Sequence, residues 1–162
     1  MKFYYINTDA SNKQLGYSPH AKWIKYEYAF TSSFTSDKYK EYAVDTEGFK
    51  KYGVDILGKL KPGDILFMYA NRKGVVSAGR VTDCWQGSSY KGSDRLVYQH
   101  TACFEYRIPV DWYLPIVNNP VRVEEFNKIR GKESISIGVL WSIDEDAGKQ
   151  LLKTVQSRVS QC

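Results

Sequence analysis

A chain of 162 residues is of single-domain size and long enough to bury a real core. Its 23 Lys and Arg against 18 Asp and Glu give a net charge of +5, which favours polyanionic partners, and 13 Tyr, 7 Phe and 4 Trp are more aromatics than one small core needs. Three cysteines without paired spacing (Cys84, Cys103, Cys162), beside only His20 and His100, argue for reduced thiols, a cytoplasmic setting and no zinc; no apolar run approaches the roughly 18 residues that cross a bilayer, so no membrane partner is expected.

The first strand is read at residues 3–7, breaking at the turn formers Thr8-Asp9-Ala10-Ser11-Asn12. Residues 23–31 read as a second strand of ambiguous pattern, and residues 39–60 as two short helices, the second carrying Val54, Ile56, Leu57 and Leu60. The richest stretch follows. Pro62-Gly63-Asp64 reverses the chain, Ile65 to Ala70 form a buried strand, Asn71-Arg72-Lys73-Gly74 make a basic hairpin tip, and residues 75–82 run back. At its exit stands Trp85, a large indole beside cationic loops.

Residues 101–113 form the clearest strand, with Ala102, Phe104, Tyr106, Ile108, Val110 and Trp112 on a core face and Cys103, Glu105, Arg107 and Asp111 opposite. Pro120 opens a helix over Val121, Val123, Phe126 and Ile129. Residues 134–141 read as a last strand, and Ser142 with Glu145 as a capping box for a closing helix over Ala147, Leu151, Leu152, Val155 and Val159. No linker or repeat interrupts this order, so residues 1–162 are read as one domain, and the ending at Gln161-Cys162 would suit a module cut from a longer chain. Strands and short helices without regular βαβ alternation imply an α/β (α+β) fold with a small curled sheet flanked by helices.

Most single residues also have an ordinary packing role. Trp112 belongs to the core face, and Trp141 reads as helix-to-sheet packing; Trp85 could touch a ligand or close a barrel end. Lys22, Lys25, Arg72, Lys73, Lys91 and Arg95 are candidates for phosphate contacts, or ordinary solvated surface. No nucleophile elbow, P-loop, zinc-protease helix or Cys/His cluster is present, so a binding module is expected rather than an enzyme, with no cofactor. A nuclease carboxylate pair could still be drawn from Asp64, Asp83, Asp94 or Asp111. A protein-interaction module using exposed aromatics is the other alternative.

The order FYYINTDASN, YEYAFTSS, LKPGDILFMYANRKGVVSAGRVTD, FEYRIPVDW, then a Pro-led helix and a closing helix, resembles the YTH and EVE modules of the PUA-like superfamily over most of the chain. The resemblance implies a PUA-like pseudo-barrel and a reader that holds a flipped or single-stranded modified base, such as N6-methyladenine or a 5-modified cytosine, in an aromatic pocket. It places Asn7 and Asp9 at the base edge, Phe30 with Thr31 where YTH modules carry their first cage tryptophan, with Trp23 as a substitute wall, and Trp85 as the second wall ahead of Tyr90 and Tyr98. The partner it implies is nucleic acid; the long segment between the first strand and the hairpin, with an origin in a modification-dependent restriction system and its further domains or subunits, puts DNA before RNA.

Overall fold

The structure is a computed structural model and describes residues 1–8, 19–34, 46–97, 103–135 and 138–159. Asp9, Tyr98, residues 39–45 and the first two residues of the strand expected at 101–113 lie outside them.

Six strands form one mixed sheet in the order β2-β5-β4-β3-β1-β6, where β1 is Phe3–Asn7, β2 Tyr28–Phe34, β3 Ile65–Ala70, β4 Gly74–Val81, β5 Cys103–Pro115 and β6 Leu140–Ile143. Among the described strands only β1 and β3 pair in parallel. The long strand β5 serves two partners. Its first half pairs with β2, from Phe34 opposite Cys103 to Tyr28 opposite Pro109, and its second half pairs with β4, from Val81 opposite Val110 to Ser77 opposite Pro115. Together with register shifts at Met68/Tyr69 and Ala78/Arg80, this curls the sheet into a half-barrel. At Gly79 an added Cβ would lie 2.7 Å from the Asp111 carbonyl and the Trp112 ring, so the close approach of β4 to β5 requires glycine.

Each face of the sheet has its own core. Inside the curl lie Tyr4, Ile6, Leu66, Met68, Tyr106 and Trp112, closed over by helix α1 (His20–Tyr26) and the segment that holds Leu57 and Leu60. That segment comprises the turn α2 (Thr46–Gly48), the π-helix Phe49–Val54 and the 3-10 turn Leu57–Lys59. On the other face Phe3, Tyr5, Ile65 and Phe67 meet Phe126 of α3 (Val123–Arg130) and Leu151 and Val155 of α4 (Glu145–Val159). Because both faces are covered, all six residues of β3 are buried, and its sequence reads as a continuous apolar run.

Several expected elements differ. Residues 20–26 are helical, not the start of a strand, and α1 ends at Glu27, whose φ of 59° is left-handed. The Pro-led helix begins later, at Val123, because Val121 is drawn into a backbone bridge with Val75. Ser142 pairs with Tyr4 inside β6, so the Ser142–Glu145 capping box does not form, and the Asp144 carbonyl instead accepts the Gly148 N–H at 2.8 Å. Trp141 is 38% exposed on the edge strand rather than packed between helix and sheet. Glu105, expected on an outward face, is fully buried, because residues 84–97 fold across that side of β5.

Candidate nucleic-acid interface

The loop after β4 is held by β5. Tyr90 and Glu105 exchange two backbone hydrogen bonds at 2.8 Å, and the buried Glu105 carboxylate accepts the backbone N–H groups of Leu96 and Val97 at 3.0 and 2.9 Å. Arg107 pairs with the same carboxylate at 3.3 Å, donates to the Asp94 carbonyl at 2.8 Å and stacks on Tyr90, its guanidinium 3.4 Å from the ring centre. A carboxylate with that many charge-assisted donors fixes the loop that carries Trp85.

Trp85 itself is half-buried, its ring 5.1 Å from that of Phe49. Beneath it lies Gly53, where an added Cβ would stand 2.4 Å from the indole, so only glycine lets the ring settle there. Phe49 and Gly53 both belong to the π-helix, a rare conformation often found at functional sites. Phe49 meets Tyr106 edge-on at 6.3 Å, and the Tyr106 hydroxyl lies 3.3 Å from Ser33 Oγ. The Thr31 hydroxyl donates to the Tyr52 carbonyl at 3.0 Å. The Trp85 Nε1–H is buried and has no hydrogen-bond partner among the described residues, a state that costs about 1–3 kcal/mol until an acceptor reaches it. The arrangement is two tilted rings and an unsatisfied donor, with hydroxyls behind them.

Of the other expected pocket residues, Thr31 stands behind the rings and Phe30, Trp23 and Asn7 lie elsewhere. Phe30 is 1% exposed and Trp23 0%; their rings pack on each other at 5.7 Å, and Trp23 lies 6.4 Å from Trp112. Both are core, with no face open to a base. Thr31 is buried and committed to Tyr52. Asn7 sits at the opposite end of the strands, its side-chain amide donating to Asn71 Oδ1 at 3.3 Å, beside the hairpin tip. Phe49 and Gly53 went unnoticed in the sequence, where Phe49-Lys50-Lys51-Tyr52-Gly53 reads as part of an ordinary helix.

Among the candidate phosphate contacts, Arg72, Lys73 and Lys91 are exposed, and exposed Lys25 lies over the Tyr26 ring at 5.3 Å. Lys22 is half-buried. Arg95 is 5% exposed and therefore cannot meet a phosphate at the surface. A hollow of about 240 Å3 opens between Tyr26, Glu27, Tyr28, Thr82, Pro109 and Asp111, with none of the expected site residues in its wall. Its two carboxylates make it a poor seat for a phosphate chain. Of the possible nuclease carboxylates, Asp64 is buried and caps a turn by accepting the N–H groups of Lys2 and Lys61 at 2.9 Å each. Among the described residues, no group of three or more His, Cys, Asp and Glu is arranged to hold a metal.

No family model matches the chain, and no curated protein matches it. Solved structures do share its fold. The Toxoplasma CPSF4 YTH domain aligns with a TM-score of 0.52 and 13% identity, over 97% of this chain and 87% of that chain in its apo form. The same domain in complex with a 7-mer m6A-modified RNA gives the same score and identity over 97% and 91%. Protein PSPTO5229 from Pseudomonas syringae aligns with a TM-score of 0.50 and 9% identity, over 94% and 99%. The architecture is thus a YTH-like curled half-barrel, an α+β fold.

Proposed function

We propose that this protein is a nucleic-acid-binding module that reads one modified base, flipped or single-stranded, against Trp85 and Phe49. The observation that carries the reading is the half-exposed Trp85 ring, tilted on Phe49 above Gly53, with its indole N–H unsatisfied among the described residues. Stacking on such rings is worth about 1–3 kcal/mol per base, enough to offset the few kcal/mol of extracting a base from a duplex once hydrogen bonds are added. A methyl group adds about 0.8 kcal/mol of apolar burial, or roughly fourfold in affinity. The fold shared with a YTH domain solved on m6A-modified RNA supports the same reading.

The polymer proposed first is DNA carrying N6-methyladenine or a 5-modified cytosine, within a modification-dependent restriction system. RNA is the second reading, favoured by the ligand of the Toxoplasma domain. Titration of matched DNA and RNA oligonucleotides, each with and without the modification, separates the two. Binding indifferent to both modification and salt would remove the proposal.

A further inference from the structure

The end of the sheet that bears the β3–β4 hairpin gathers cations that the sequence keeps far apart. Arg72 and Lys73 form the tip, with Arg72 held at a φ of 67° and Gly74 at 102°. Val75 and Val121 exchange backbone hydrogen bonds at 2.9 and 3.0 Å, which draws the chain before α3 against the hairpin. The approach is so close that a Cβ on Gly74 would stand 2.0 Å from the Val121 carbonyl oxygen and 3.0 Å from Arg122 Cα. Arg122, nearly fifty positions after the tip in sequence, is therefore its neighbour in space.

Arg72, Lys73 and Arg122 are all exposed, and none of their side chains has an ion-pair or hydrogen-bond partner among the described residues. The nearby carboxylate of Glu125 is taken by Arg158. The side-chain amides of Asn7 and Asn71, bonded to each other at 3.3 Å, border the same end. Three unpaired cations flanked by amides match the groups that contact phosphodiester oxygens without reading bases.

We infer that Arg72, Lys73 and Arg122 form one phosphate-contacting patch that holds the backbone of a bound strand, with Arg122 a positioning residue for the polymer. This rests on the nucleic-acid reading above and adds a contact for the polymer that reads no base. The patch and Trp85 lie beyond opposite ends of β4, whose eight residues span about 26 Å. The patch is therefore separate from the aromatic site, and it supplies affinity without preference for a modification.

The test is the salt dependence of binding for an unmodified single-stranded oligonucleotide and its N6-methyladenine counterpart. The triple variant R72A/K73A/R122A should reduce the slope of log K against log salt by about 2, since each lost contact on a single strand is worth about 0.7. Both oligonucleotides should weaken by the same factor, and R72K/R122K should retain the slope. An unchanged slope in the triple variant, with wild-type binding intact, overturns the patch and leaves the base-reading site standing. If the wild type binds no oligonucleotide but does bind phosphatidylserine vesicles, both the patch and the nucleic-acid reading fail.

Discussion

The two ends of β4 are built in opposite ways. Beyond Val81 the loop is cross-linked to β5 by a buried carboxylate, a stacked guanidinium and paired backbone groups, and it offers one indole with an unsatisfied donor. At Gly74 the tip offers exposed charge, its side chains without partners among the described residues, on a glycine-bearing turn. Discriminating a base needs groups fixed and stripped of water, whereas attracting a polyanion needs only charge and reach. The loop end can set specificity and the tip affinity, and each can be altered alone.

The largest expected effect is on the loop's anchor. Glu105→Ala leaves Arg107 and two backbone N–H groups without their carboxylate, and removing one partner of a buried pair costs about 3–5 kcal/mol. For a domain of this size the melting temperature should fall by roughly 10 °C in a thermal scan, with loss of any preference for modified bases. A change under about 2 °C would mean that the loop is held by something else.

Next in size is Trp85→Ala. Losing the stacking face should weaken binding of a modified oligonucleotide by about 1–3 kcal/mol, between fivefold and 150-fold, with the salt slope unchanged. Gly53→Ala should act in the same direction but more weakly. Its methyl group would push the indole off its seat, read as a shift in tryptophan fluorescence together with a several-fold loss of modified-base affinity. Tip variants should lower the salt slope and weaken modified and unmodified oligonucleotides by the same factor, leaving the preference between them unchanged.

The smallest effect is on pH. Burial, and then the neighbouring Asp64 carboxylate, raise the Tyr4 phenol above its ordinary value of 10.0. The unfolded chain therefore loses that proton first. The contribution is complete below about pH 10 and is lost as pH rises through the folded value, so alkaline melting should be slightly shallower in Tyr4→Phe.

Strand β3 is legible in the sequence because both its faces are buried and turn residues bound it; the even face of β5, with Trp112 in the core, is legible by alternation. What alternation cannot reveal is a cover from elsewhere. Glu105 lies on the face that should be wet, but residues 84–97 bury it. In sequence both Trp23, flanked by Lys22 and Lys25, and the preferred Trp85, at the exit of the basic hairpin, can be read as cage walls. Only tertiary packing separates them, since α1 turns Trp23 inward onto Phe30 and Trp112, while the anchored loop leaves Trp85 partly open. Phe49 escaped because a π-helix has no pattern of its own in sequence, and Arg122 because its nearness to the tip depends on a bridge between distant residues.

The most direct measurement is an equilibrium titration of wild type and Trp85→Ala with two oligonucleotides that differ only by one N6-methyl group or one 5-modified cytosine. The account predicts that the wild type prefers at least one modified oligonucleotide about fourfold or more, and that Trp85→Ala binds modified and unmodified forms equally while melting cooperatively. Equal binding of every pair by the wild type, or a preference that survives in Trp85→Ala, would contradict it.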